Sequence, residues 1–182
     1  MTLDLVLCAM DDTLAQAWET VVAGLDAVRV HRGSLLGLEV HAAVSPANSQ
    51  GFMRGGIDAA YAAAFPGVED RVRSAIRESH GGILPVGSAL AVPTGVPRPA
   101  WLVSAPTMQL PGELLGDDTD HLFRAAAPVL SWWRDGTLPD GGSSATGWPR
   151  SPCRASAPAS QWAEHRGVGP LRSNPSMIIV GR

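Results

Sequence analysis

The 182-residue sequence contains no lysine, so every side-chain cation other than histidine is one of its 14 arginines. A mechanism that needs a lysine nucleophile is therefore excluded. The same bias points to a G/C-rich coding sequence, because both lysine codons begin with AA. Cysteine is nearly absent as well. Cys8 and Cys153 stand far apart, and no CxxC pair or Cys/His cluster gives a metal-site pattern. Cys8 lies in an apolar, strand-like run and reads as a small buried hydrophobe. The histidines, His31, His41, His80, His121 and His165, are scattered, with no partner at ligand spacing. Positive charge is not in excess: the formal net charge is −3, which argues against a nucleic-acid footprint. No apolar run approaches the ~20 residues that a membrane-spanning helix needs. The opening LDLVLCAM is short, carries Asp4 and has no basic leader, so a signal peptide is not expected and a cytoplasmic protein is.

What the chain does have is enough apolar residue for a real core. Hydrophobic residues make up 45%, which fits one folded domain rather than a disordered chain. Strand-like segments are expected at residues 3–8, 27–31, 38–44, 89–92 and 101–105. Helical spacing is expected at 13–23, 58–65, 68–79 and about 117–133. Asp11 or Asp12 can cap the first helix, Gly24 ends it, Pro66-Gly67 breaks the second, and Gly81-Gly82 ends the third. Pro128 should kink the last helix or mark its restart. Strands alternating with helices predict a three-layer α/β/α domain with a central mixed, mostly parallel sheet. In such sheets ligands bind outside the carboxyl ends of the strands.

The stretch VSPANSQGFMRGGIDAAY, residues 44–61, is the most informative. An apolar strand turns through Pro46-Ala47-Asn48-Ser49, loosens at Gly51, Gly55 and Gly56, and enters a helix led by Ile57 and Asp58. A glycine loop leading into a helix N-terminus suits an anion: backbone N–H groups point outward, and the helix dipole adds about half a positive charge. Asn48 and Asp58 supply an amide and a carboxylate beyond what a phosphate alone requires.

This segment resembles the signature of the macro domain, the ADP-ribose-binding module, whose pattern reads N-x(6)-G-G-[VIL]-D. Asn48, Gly55, Gly56, Ile57 and Asp58 fill it with the spacing kept. The likeness is to the bacterial and phage-type branch of Appr-1''-p processing proteins. Two further motifs support it: Leu84-Pro85-Val86-Gly87 with Pro93-Thr94-Gly95, and Ser104-Ala105-Pro106-Thr107-Met108. It covers about residues 1–140. The resemblance implies binding of ADP-ribose or a related metabolite. It also implies hydrolysis of ADP-ribosyl linkages, on protein, nucleic acid or O-acetyl-ADP-ribose, as one reading. A non-enzymatic reader of ADP-ribose is the other, and a truncated product with weak or no activity is a third. No cofactor is implied.

By that resemblance the Asn48 amide holds the distal ribose, and Asp58 orients or activates a water against the anomeric carbon. The catalytic candidates are thus Asp58 and Asn48. Gly51, Phe52, Gly55, Gly56, Ile57, Ala105 and Thr107 are ligand-binding candidates with Asn48. Ser34 joins them because Gly33-Ser34-Leu35 stands where the family has Gly-Asp-Ile, whose Asp accepts from the adenine amino group. Serine can still hydrogen-bond but carries no charge, which weakens that contact by about half. Each residue also has a plain structural reading: an Asx turn for Asn48, a dipole-favoured carboxylate for Asp58, loop packing for Phe52 and Met53.

From about Gly141 the composition changes. Residues 141–182 are rich in Gly, Ser, Pro and Ala with little periodicity, and an irregular or disordered tail is expected. The second phosphate loop of the family, G-x-G-[TV]-G, is missing. Reverse translation of residues 150–160, read from the third base of each codon, is compatible with VAVPGLGTGV. A change of reading frame near residues 141–143 accounts for both observations. The coding DNA around Gly141 is the test.

Overall fold

The computed structural model describes residues 5–116, 118–135 and 179–181. The chain runs β1 (Leu5–Ala9), α1 (Asp12–Val21), β2 (Val28–Arg32), a 3-10 turn (Leu35–Gly37), β3 (Ala42–Ser45), α2 (Gly56–Ala64), α3 (Val68–His80), β4 (Leu90–Pro93), β5 (Trp101–Ser104), α4 (His121–Asp135) and β6 (Ile179–Gly181). The strands form one sheet in the order β2-β1-β6-β3-β5-β4. The β1–β2 and β3–β5 pairs are parallel, whereas β6 runs antiparallel to both β1 and β3, and β4 antiparallel to β5. Four of the six described strands therefore share one direction, and the sheet is mixed and mostly parallel as expected.

Alternation along the strands builds two cores, one on each face. Val6, Cys8, Ala43 and Leu102 pack with Tyr61 and Phe65 of α2 and with Val68, Val72 and Ile76 of α3. Their sequence neighbours Leu5, Leu7, Val44 and Val103 pack with Ala125 and Val129 of α4, and Trp18 of α1 joins that cluster. This is the three-layer α/β/α arrangement, with α2 and α3 on one side and α1 and α4 on the other. Cys8 is 1% exposed, and its thiol pKa is pushed up to about 11, chiefly by burial. It is core, as its surroundings in the sequence suggested.

Local chemistry sets the boundaries. The Asp11 carboxylate accepts from the Leu14 N–H at 2.9 Å and starts α1. Gly67 and Gly81 take left-handed φ values at the two ends of α3. Pro128 lies inside α4, which begins at His121 rather than near residue 117. The third strand, Ala42–Ser45, is shorter than the expected 38–44: after a 3-10 turn at residues 35–37 capped by Ser34, the chain turns again where the Val40 N–H donates to Leu38 O at 3.0 Å. Strand β6 has no counterpart in the sequence reading. Otherwise the tail at 141–182 and its proposed change of frame lie outside the described residues. Among the described residues no helix is long and apolar enough to cross a membrane.

Candidate functional site

Three of the sequence motifs converge at the carboxyl edge of the parallel strands. The chain leaves β3 at Ser45 and runs beside the segment that leaves β5. The Ala105 N–H donates to Ser45 O at 3.0 Å, Thr107 N–H to Ala47 O at 2.9 Å, and Ser49 N–H to Met108 O at 2.9 Å. Asn48 and Met108 pair as an isolated parallel bridge. The Leu84 N–H then donates to Ser49 O at 2.8 Å, which brings the Leu84–Gly87 motif to the same place. The fourth motif behaves differently. Thr94 follows antiparallel β4 and so lies at the opposite edge, where its buried hydroxyl donates to Pro99 O at 2.5 Å and the Arg71 guanidinium binds Pro93 O and Thr94 O. Its part is structural.

Asn48 is 5% exposed and its amide closes the loop. The side-chain oxygen accepts from Gln50 N–H and Phe52 N–H, each at 3.2 Å, and the side-chain nitrogen donates to Phe52 O at 2.7 Å. Gly51, at φ +72, is held close to α3: a Cβ there would meet Ile76 Cδ1 at 2.8 Å and Val72 Cγ1 at 2.9 Å. The Phe52 ring lies under the Arg73 guanidinium at 4.2 Å, with Arg54 at 5.1 Å. Met53 is 4% exposed and part of the core. Gly55 occupies the N-cap position of α2, and no side chain caps that end. A Cβ on Gly55 or Gly56 would meet nothing within 4 Å. Ile57 packs at the margin of the α2/α3 core.

Asp58 stands in the first turn of α2 but turns inward. It is buried, and its Oδ1 accepts a hydrogen bond from Ser45 Oγ. Burial pushes its pKa up to about 6, the Ser45 hydrogen bond pulls it down, and Glu69 adds a smaller upward push. Tyr61, one turn further on, donates to Val44 O at 3.3 Å. Its pKa is held well up by burial and then by Asp58.

The other face of the same edge carries a small apolar recess, lined by Val44, Pro46, Ala105, Thr107, Leu122, Ala125 and Ala126. Val44 and Ser45 point to opposite faces, so the recess and Asp58 lie on opposite sides of the sheet. Of the candidates, Ala105 and Thr107 line the recess, whereas Asn48, Gly51, Phe52, Gly55, Gly56, Ile57 and Asp58 belong to the loop and α2. Ser34 caps the 3-10 turn after β2, its Oγ accepting from Leu36 N–H at 3.2 Å. β1 and β6 separate its strand from β3, so it shares the sheet edge with the loop but not the immediate neighbourhood.

Three residues at this edge were not named as site candidates from the sequence. Ser45 holds Asp58, thirteen positions away, and no spacing rule connects them. Ser104 is its register partner on β5. His121 starts α4, and its Nδ1 lies 2.9 Å from Thr107 O, which ties the recess to that helix. No cluster of three metal-ligating side chains occurs among the described residues.

No family model matches the sequence, and no curated protein matches it. Among solved structures, the chain is similar to the macrodomain of Thermus aquaticus DarG, at 20% identity and a TM-score of 0.47, over 55% of this chain and 64% of that one. It is similar to the macrodomain of Mycobacterium tuberculosis DarG at the same identity and TM-score, over 57% and 66%. In each case the match spans less than two thirds of the neighbour's length.

Proposed function

We propose that this chain binds ADP-ribose, or an ADP-ribosyl group on a larger substrate, at the carboxyl edge of its sheet. The observation that carries this reading is the convergence of the Asn48 loop, the Leu84–Gly87 motif and the Ser104–Met108 motif through the Ser49 backbone hydrogen bonds. Separate structural loops would have no reason to assemble there in the order that the macro-domain resemblance requires. The diphosphate lies over Gly55 and Gly56, where the absence of Cβ lets an anion approach the N–H groups at the start of α2. Asn48 shapes the loop, and its amide, which keeps one hydrogen to donate, is the contact to the distal ribose. Ser34 leaves any adenine contact uncharged.

The test is calorimetry of the full chain with ADP-ribose, with ADP and ribose 5-phosphate as fragments. Binding of ADP-ribose that weakens at least tenfold in Gly55→Ala, with melting unchanged, supports the reading. No heat and no thermal shift with the parent chain overturns it and leaves a product without either activity.

A second reading adds hydrolysis of the ADP-ribosyl linkage, with Asp58 as general base. The observation that favours it is a buried carboxylate beside the glycine loop with its pKa raised to about 6, close to the operating pH that general-base work prefers. Release of ADP-ribose from a mono-ADP-ribosylated protein, lost in Asp58→Asn, is the expected result. Equal turnover by that variant removes Asp58 from the chemistry and leaves a reader.

A further inference from the structure

The Asp58 carboxylate has one hydroxyl on it, and a second hydroxyl stands at the register position of the neighbouring strand. Ser45 and Ser104 are register partners in the parallel β3–β5 ladder. Ala43 and Leu102, two residues earlier on each strand, face the α2/α3 core, so both serines face it too. Ser45 Oγ donates to Asp58 Oδ1. Ser104 is 1% exposed, and among the described residues its Oγ has no hydrogen-bond partner. A buried, unpaired hydroxyl is uncommon enough to ask for a reason. Adjacent strands lie about 4.8 Å apart, which makes Ser104 the next hydroxyl along the row that holds Asp58.

We infer that Ser45 and Ser104 form a pair of positioning residues for Asp58, Ser45 donating in this structure and Ser104 standing as the second donor when the carboxylate turns. The remaining groups around Asp58 do not replace them. Glu69 of α3 is acidic and opposes the charge, and the Tyr61 hydroxyl of α2 is engaged with Val44 O. Hydroxyl donors favour the ionised carboxylate and fix its direction. The hydroxyl pair is a statement about this chain alone; its use in ligand binding rests on the proposed function.

The experiment is a titration of the Asp58 carboxyl carbon by NMR in the full, isotope-labelled chain. Ser45→Ala should raise its midpoint by about one pH unit, and Ser45→Thr, which keeps the hydroxyl, should restore it. Adding Ser104→Ala to Ser45→Ala should raise the midpoint by more than the two single changes together, because each hydroxyl covers for the other. An unchanged midpoint in the Ser45→Ala/Ser104→Ala double variant overturns the pair. A double variant equal to Ser45→Ala removes Ser104 from it. Ser45→Cys keeps the volume with a weaker donor and should shift the midpoint in the same direction, so a failure of the alanine variant to fold leaves the question decidable. Calorimetry with ADP-ribose across pH, on the same variants, separates the two claims. If the carboxyl midpoint moves while the affinity profile stays still, the hydroxyl pair stands and Asp58 is not a ligand contact.

Discussion

Three glycines in one loop give a graded test of how the loop is held. Gly51 has φ +72, Gly56 has φ +55, and Gly55 has an extended backbone near φ −145. Alanine at Gly51 places a Cβ in the left-handed region, at about 1–2 kcal/mol. It also drives that Cβ to 2.8 Å from Ile76 Cδ1 and 2.9 Å from Val72 Cγ1. Both belong to the buried face of α3, so overpacking adds about 1–3 kcal/mol. The expected total is about 2–5 kcal/mol, a large part of the roughly 5–15 kcal/mol that holds a domain folded. Gly56→Ala meets open space and should cost only the backbone term, about 1–2 kcal/mol. Gly55→Ala has neither problem and should change stability by under about 0.5 kcal/mol. Urea unfolding followed by circular dichroism reads all three; at a slope of about 2 kcal/mol per molar, Gly51→Ala lowers the midpoint by roughly 1–2.5 M. A Gly51→Ala midpoint no lower than that of Gly56→Ala would refute the close packing of the loop on α3.

Further expectations follow from the same geometry. The folded-state pKa of Asp58 is raised from 3.8 to about 6, so the folded state holds that proton more tightly than the unfolded chain. Its contribution of about 3 kcal/mol is fully present below pH 3.8 and is lost as pH rises through about 6. Asp58→Asn should flatten the stability profile between pH 4 and 7 and make the chain more stable than the parent at pH 8, measured by urea midpoints across pH. Asn48→Ala removes the side-chain bonds to Gln50 and Phe52 and should cost about 1–3 kcal/mol. Asn48→Asp keeps both acceptor contacts and should cost less, so equal losses in the two variants would contradict the Asx-turn geometry. Deleting residues 179–182 removes the strand that joins β1 to β3. It should cost several kcal/mol at about 0.5–1.5 kcal/mol per backbone hydrogen bond, and an unchanged melting temperature would count against β6.

Where the sequence was legible, local signals were strong. Val68, Val72 and Ile76 sit at helical spacing with charged residues between them, and α3 buries those three. The β1 and β5 runs are apolar and short, and each is a strand within a residue or two of its expected bounds. What stayed hidden depends on distant partners. Ile179–Gly181 carries too little pattern to announce a strand, and it gains its place from β1 and β3 on either side. The inward turn of Asp58 was equally hidden: a carboxylate in a first turn reads as dipole-stabilised wherever it points, and only the position of Ser45 across the sheet edge fixes its direction. The Asn48 reading divided for a related reason. An Asx turn and a ligand contact draw on the same amide; three hydrogen bonds within the loop form the turn, and the amide nitrogen keeps a second hydrogen to donate.

The alternation of Val44 and Ser45 also constrains any ligand. Val44 lines the recess on the α4 face, whereas Ser45 holds Asp58 on the α2/α3 face. A compact molecule can reach one of these and not the other. A ligand that uses both must be elongated and must cross the edge at Pro46 and Ala47, with its middle near the loop. Under the proposed function that middle is the diphosphate, the group best suited to open backbone N–H groups. The recess is apolar, so under the proposed function it would take one uncharged end of such a ligand. Fragment binding follows from this: ribose 5-phosphate and ADP should each bind more weakly than ADP-ribose. A fragment that binds as tightly as the whole would place recognition on one face alone and break the argument.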